Sequence, residues 1–503
     1  MKASDSYTSI FIDGKEVKAK IGGRISEYLN ADSPCGGRGK CGKCKARVEG
    51  EVTAPTDDEL RRLTEEELSR GIRLACKAQI LGPCRAYTVS SGDAASIVAL
   101  TDGALSIDAG TPRFKRLGVA VDVGTTTLAA RLYSHGARLL SVSSSINPQV
   151  ELGADVITRI GHSLMGGDEE LCNVIRGAID RLIYEMAEAA DVDSHIIDGA
   201  VITGNTAMLY LLTRTDASDL AYAPFEAKEL FDRVLTAADL GIHSLSPDAE
   251  IYLPPCISAF VGADISCAML ACELCESERT RLLVDVGTNG EICLWHEGRL
   301  FVTSAAAGPA FEGANIKCGM RALRGAIDKV YMKDGKFICS VIGGARALGI
   351  CASGLVDATA ALIETGALDN AGLLKCGEVT LAEGVALVED DIRALQLAKA
   401  AISAAIKTVM SRACVFEIED TVIAGGFGRY LNLDNAVKIG LLPKTVAHKA
   451  VAVGNAALDG AALMLLDKQS CEKCGRIASS ATVVDLAADA LFFEHYVEDM
   501  TFP

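Results

Sequence analysis

Two aspartates and a run of cysteines are the residues whose types and spacing could do chemistry. Asp122 lies in Gly118-Val-Ala-Val-Asp-Val-Gly-Thr-Thr-Thr-Leu-Ala-Ala130, and Asp285 lies in Leu282-Leu-Val-Asp-Val-Gly-Thr-Asn-Gly-Glu-Ile-Cys-Leu294. Each aspartate ends an apolar run and is followed by a small polar turn. The turn holds Gly124, Thr125, Thr126 and Thr127 in the first copy, and Gly287, Thr288 and Asn289 in the second. Glycine lets a phosphate approach the backbone, and successive N–H groups in such a turn form an anion-binding nest. A carboxylate beside a phosphate repels it unless a hard cation lies between, and magnesium meets that need. One such turn is also compatible with an ordinary hairpin. Two widely separated copies point to a duplicated lobe.

The cysteines are Cys35, Cys41 and Cys44 in Cys35-Gly-Gly-Arg-Gly-Lys-Cys-Gly-Lys-Cys44, with Cys76 in Arg73-Leu-Ala-Cys76. Four thiolates can hold a 2Fe-2S cluster, and glycines 36, 37, 39 and 42 let a loop wrap around inorganic sulfide. A structural zinc site is the alternative, but zinc usually gathers its ligands in Cys-x2-Cys pairs and the second pair is missing here. Cys84 follows Cys76 too far along to be expected as a ligand. Arg38, Lys40 and Lys43 either steer an acidic partner or are solvated loop charges. The spacing resembles that of plant-type ferredoxins, with one residue more in the first gap. That resemblance implies a β-grasp fold over residues 1–90, with Cys35, Cys41, Cys44 and Cys76 as ligands. Ser9–Lys20 reads as a hairpin about Asp13-Gly14, Ile25–Asn30 as a short helix, and the acidic stretch Asp57–Leu68 as a solvated helix.

These residues need elements to hold them. Val119–Val121 and Leu282–Val284 read as buried strands. Strand-like runs alternate with Ala-rich helical ones from residue 118 onward, which predicts α/β layers. Asp155 and Arg159 sit four apart on a predicted helix and read as a surface pair, with a catalytic Asp155 as the other reading. Gly204-Asn205-Thr206 ends a strand where α/β folds place ligand contacts. In Thr303-Ser-Ala-Ala-Ala-Gly308-Pro-Ala-Phe-Glu312-Gly313, a small-residue loop enters a helix and exposes N–H groups to an anion. Glu312 there reaches a ribose or magnesium, or simply caps the helix dipole. Gly425, Gly426 and Gly428 turn the chain after another strand and leave room for a flat adenine against backbone, or mark a tight turn.

The totals exclude several classes. The 503 residues suggest three or four compact units. A net charge of −17 makes nucleic acid and anionic membranes poor partners. No apolar run spans a membrane, and Met1–Tyr7 lacks a signal-peptide core, so a cytoplasmic protein is expected. The 18 cysteines therefore read as buried thiols or metal ligands, with Cys267, Cys293 and Cys351 as core residues. Cys471-x2-Cys474 cannot close a metal site alone. No Gly-x4-Gly-Lys-Ser/Thr loop occurs.

Two Asp-x-Gly-Thr hairpins followed by a Gly-Gly-x-Gly turn resemble the nucleotide fold shared by actin, sugar kinases and heat-shock chaperone ATPases. With the ferredoxin-like front, the chain resembles the ATP-dependent reductive activators of corrinoid proteins. Asn147-Pro-Gln149, Gly204-Asn205-Thr206, Ala307-Gly-Pro-Ala-Phe-Glu-Gly313, Cys318-Gly-Met-Arg321 and the tail Met500-Thr-Phe-Pro503 carry that match. It implies α+β and α/β architecture: a 2Fe-2S domain at 1–90, a linker at 91–117, and a two-lobed actin-like ATPase at 118–503. The lobes would span about 118–280 and 281–503, and the small extra domain of longer members would be absent. It further implies ATP and Mg2+ as cofactors, with Asp122, Asp285 and Glu312 as catalytic residues. Its partners would be a corrinoid protein and an upstream low-potential electron donor, and it would form a homodimer. The expected reaction is one-electron rescue of Co(II) to Co(I) for a methyltransferase system. The alternatives are a small-molecule kinase with a redox-sensing domain, a chaperone for metalloenzyme assembly, and an electron donor to another low-potential metalloenzyme.

Overall fold

Side-chain alternation along the strands decides how this chain layers. The computed structural model describes residues 7–12, 15–29, 44–63, 65–88, 110–153, 155–287, 289–428, 430–447 and 450–503. The chain divides into two units, Met1–Ala95 and Ser96–Pro503.

In the first unit, β1 (Tyr7–Ile12) and β2 (Lys15–Lys20) pair antiparallel. They are followed by β3 (Lys45–Val52), β4 (Ile72–Leu74) and β5 (Ile80–Thr88). The sheet order is β2-β1-β5-β3-β4, with β1 and β5 parallel and the other pairs antiparallel. Ile10, Ile25, Ala46, Leu74 and Ile80 fill its core. The expected helix after the hairpin is a single 3-10 turn, Ile25–Glu27.

The acidic stretch departs from expectation. It forms two short helices, Asp57–Leu60 and Glu65–Ser69, and it is not simply solvated. Glu59 is fully buried. It caps its own helix through Thr56 N–H at 2.9 Å and accepts from Arg73 Nε at 2.9 Å and Leu74 N–H at 3.0 Å. A carboxylate satisfied on every side tolerates burial that an unpaired one would not.

The second unit contains two sheets of like plan. The first has β6 (Leu117–Val123), β7 (Thr127–Ser134), β8 (Leu139–Ile146), β9 (Ile197–Gly204), β10 (Arg233–Thr236) and β11 (Glu250–Leu253), in the order β10-β11-β9-β6-β7-β8. The second begins with β12 (Arg281–Val286), β13 (Gly290–His296) and β14 (Arg299–Ala305). After β15 (Ala326–Lys333), β16 (Lys336–Val341), β17 (Gly349–Ile350), β18 (Glu378–Ala382) and β19 (Val385–Val388), it resumes with β20 (Asp420–Ala424), β21 (Ala450–Ala452) and β22 (Ala481–Val483). Its order is β21-β20-β12-β13-β14-β22. In each sheet an antiparallel meander is extended by parallel strands beside its first member.

The period of two sorts each strand's side chains onto two faces. Val119, Val121 and Val123 pack outward on the helix Asp168–Ala189. Leu282, Val284 and Val286 pack outward on the helices Ala352–Glu364 and Glu389–Arg412. The other face of both sheets, with Ala120, Val201, Leu283, Cys293 and Val422, shares one core with the helices Ala263–Ala271 and Ala456–Leu466. These two helices cross tightly: a Cβ on Gly460 would lie 2.0 Å from the Cys267 carbonyl oxygen. Parity then places Asp122, Asp285 and Glu291 on the inner face, beside Ala120, Leu283 and Cys293.

The C-terminal part of the expected linker is docked on this unit. Arg113 N–H donates to the Leu465 carbonyl at 2.9 Å, and Phe114 is buried. Cys267, Cys293 and Cys351 are core residues, as are Cys471 and Cys474. No helix among the described residues is long and apolar enough to cross a membrane.

Candidate nucleotide cleft and thiol site

The two hairpins are similar but not identical. Val123 pairs with Leu128 across the first and Val286 with Gly290 across the second, so the first loop is one residue longer. Gly124 N–H donates to the Thr127 carbonyl at 3.0 Å, and Gly287 N–H to the Asn289 carbonyl at 2.9 Å. A Cβ on Gly124 would meet the Thr127 oxygen at 2.7 Å, which explains the glycine. Thr288 lies outside the described residues.

Four carboxylates face the inner layer: Asp122, Asp285, Asp264 and Glu291. Asp285 and Glu291 are direct cross-strand partners. Asp264 is in the first turn of the helix Ala263–Ala271. Asn455 donates its amide to Asp122 at 2.6 Å while its oxygen caps the helix Ala456–Leu466. Burial pushes Asp122 up to about 6; the Asn455 amide opposes this and the Asp285 charge adds to it. Burial likewise pushes Asp285 up to about 6. Asp264 rises to about 8 through burial and then the charges of Asp122 and Asp285. Glu291 is pushed well above its usual range by burial and then by Asp264 and Asp285, against a 3.1 Å hydrogen bond from Ser304. Crowded acids with raised pKa values are poised to take up a cation. Among the described residues no three acidic, histidine or cysteine side chains converge closely enough to hold an ion unaided. Magnesium would have to be completed by water and phosphate oxygens, its ordinary habit.

The second lobe closes on the first hairpin through Glu312. Gly308, at φ +79°, opens the 3-10 turn Pro309–Glu312, and Glu312 accepts from the Thr126 hydroxyl at 2.9 Å. Glu312 is therefore a bridge between lobes as well as a helix-end charge. A Cβ on Gly319 would lie 2.1 Å from the Gly313 oxygen, so the loops bearing Glu312 and Arg321 are stacked as one piece. Gly425, at φ +87°, follows β20 and begins the short helix Gly425–Gly428, which includes Gly426. A Cβ there would sit 2.6 Å from Asp285 Oδ1. A side chain at 425 is thus barred both by backbone conformation and by the carboxylate.

The Asp155–Arg159 surface pair is corrected. Arg159 is wholly buried. It donates to the Thr125 carbonyl at 2.7 Å, while Asp155 caps its own helix through Thr158 N–H at 2.8 Å. Helical spacing shows which residues share a face, not whether that face is solvated. Asn205 stands where the strand Ile197–Gly204 ends, caps the following helix and donates to Thr125 Oγ1 of the first hairpin loop at 2.9 Å. The sequence reading missed Asp264, Glu291 and Asn455. Gly262-Ala-Asp264 before a helix, and strand parity carried through the second hairpin to Glu291, were the available signals.

In the first unit, Cys44 and Cys76 are buried with their sulfurs 3.1 Å apart. Ala75 N–H donates to the Cys44 carbonyl at 2.6 Å and fixes that approach. Two facing buried thiols fit the chemistry of an iron–sulfur ligand set. Cys35 and Cys41 lie outside the described residues. Cys84 is on β5, where burial raises its thiol pKa.

Comparison with known proteins agrees with this layout. Residues 10–81 match the 2Fe-2S iron-sulfur cluster binding domain, 117–277 the family described as RACo middle region, and 279–503 the C-terminal domain of RACo, the ASKHA domain. The corrinoid activation enzyme RamQ of Eubacterium limosum is 32% identical over 76% of this chain and 70% of its own length. This chain belongs to the family of corrinoid-protein reductive activators. A second family relative, the [Co(II) methylated amine-specific corrinoid protein] reductase of Methanosarcina barkeri, is 26% identical over 76% of this chain and 77% of its own. The solved structure of a reductive activator for corrinoid, iron-sulfur protein is 26% identical, covers 99% of this chain and 98% of its own, and superposes with a TM-score of 0.71. The family assignment carries the architecture with it: a 2Fe-2S domain followed by an actin-like ATPase domain.

Proposed function

We propose that this activator reduces the Co(II) of a corrinoid protein to Co(I), one electron per turnover, with ATP bound and hydrolysed between its two lobes. The observation that carries the reading is the joining, in one chain of this family, of a buried thiol pair with a cleft of paired Asp-Gly-Thr hairpins.

Cys35, Cys41, Cys44 and Cys76 would hold the 2Fe-2S cluster, which when bound supplies a low-potential one-electron carrier. In the cleft, Gly124–Thr127 and Gly287–Asn289 would receive phosphates, and Gly308, Gly425, Gly426 and Gly428 would leave room for the rest of the nucleotide. Asp122 and Asp285 would hold Mg2+ through water, with Asp264 and Glu291 beside them as acids whose charged form is favoured only once the cation is present. Glu312 would tie lobe closure to the phosphate loop through Thr126. The domains would be 1–90, a linker at 91–117, and 118–503, acting in the cytoplasm as a homodimer through the ATPase domain. An external low-potential reductant would refill the ferredoxin-type domain.

The test is anaerobic reduction of a Co(II) corrinoid protein by reconstituted activator. Co(I) formation is expected to require Mg-ATP and to release free phosphate. A stoichiometric phosphorylated small molecule would favour the kinase reading, and partner activation surviving Cys41→Ser would favour the chaperone reading.

A further inference from the structure

The first hairpin loop is held from behind by its carbonyls. Asn147 Nδ2 donates to the Gly124 oxygen at 2.9 Å, Arg159 Nη2 to the Thr125 oxygen at 2.7 Å, and the Asn147 N–H to the Thr126 oxygen at 3.0 Å. Asn147 and Arg159 are both wholly buried. Arg159 is itself fixed by a 2.9 Å bond from Nε to the Gly153 oxygen, and its Nη1 lies 3.5 Å from Gln149 Oε1. In a trans peptide the C=O and the following N–H point in opposite directions. Pinning the Gly124 and Thr125 oxygens therefore turns the Thr125 and Thr126 N–H groups away from the buried donors that hold those oxygens. A nest made this way is set before any anion arrives, which lowers the ordering cost of binding.

We propose that Arg159 is a positioning residue for the nucleotide phosphates: it presets the first-lobe nest through the Thr125 carbonyl and places a positive charge directly behind it. Burial lowers the Arg159 pKa to about 10, which leaves the guanidinium charged at neutral pH. The inference rests on the nucleotide reading and names the residue that shapes its phosphate end.

The test compares Mg-ADP and adenosine binding by titration calorimetry on the full-length activator. Arg159→Met should weaken Mg-ADP roughly tenfold to a hundredfold, the usual effect of losing a second-layer support. Adenosine affinity should stay within about twofold, since only the phosphate end is altered. Arg159→Lys keeps the charge without the fork and should fall between. If Arg159→Met does not fold, Arg159→Lys alone carries the test, because it too loses the fork that reaches the Thr125 oxygen. Unchanged Mg-ADP affinity in a folded variant, or equal loss for ADP and adenosine, would overturn the proposal. Wild-type protein that binds no Mg-ADP would instead overturn the nucleotide reading beneath it.

Discussion

Charge burial governs the residue scale. Burial alone would raise the Glu59 pKa, but hydrogen bonds from Arg73, Thr56 and Leu74 outweigh it and hold the carboxyl below its ordinary range. A lowered pKa contributes stability above the unfolded value, lost as pH falls through the folded one. Glu59→Ala strands Arg73 in the core and is expected to cost about 3–5 kcal/mol, read as a fall in the denaturation midpoint at neutral pH that shrinks as pH falls. Asp264 behaves oppositely. Its raised pKa gives stability that is full below its unfolded value and is lost as pH rises toward about 8. Asp264→Asn is expected to stabilise the nucleotide-free protein at alkaline pH, seen as a higher melting temperature, and to change nothing in acid. Thermal melts across pH check this. Asp122 and Asp285 were legible because each stands in a repeated motif. Asp264 and Asn455 were not, because their partners are hundreds of positions or one lobe away. Arg159 was misread because burial depends on what packs over a helix.

At the scale of elements, the glycines show which approaches matter. Gly460 lies where the two inner helices cross, with the Cys267 oxygen filling the space of any Cβ. Gly460→Val should force the helices apart and change the relation of the lobes. ATPase activity is expected to fall at least roughly tenfold, while the circular dichroism of the sheets stays near wild type. Gly425→Ala should cost nucleotide affinity through Asp285, again by about tenfold or more, given a strained φ and a 2.6 Å clash; equilibrium titration with Mg-ADP measures it. The hairpins, their strands and the β1–β2 pairing were readable from apolar runs and turn residues; Asp13 and Gly14 lie outside the described residues. The sheet order was not, because β20 joins β12 from more than a hundred residues away. The acidic stretch after β3 was misread as one solvated helix because nothing local signals that Arg73 will cover Glu59.

For the whole molecule, the question is how nucleotide chemistry raises the driving force of an electron. A ferredoxin-type centre near about −400 mV is a weak donor for an uphill reduction. A two-state bias of about 5.5 kcal/mol corresponds to roughly 0.24 V for one electron, at about 59 mV per tenfold. The Thr126–Glu312 hydrogen bond and the core shared by both sheets join the lobes through which such a bias would act. The joining of a 2Fe-2S domain to a duplicated hairpin region was legible through the family resemblance that the motifs carry. The most direct test is stopped-flow formation of Co(I) on a corrinoid protein, with the cluster pre-reduced and Mg-ATP added or withheld. The account predicts Co(I) only with Mg-ATP, and none with Cys76→Ser or Asp285→Asn. Equal rate and yield of Co(I) without nucleotide would contradict it.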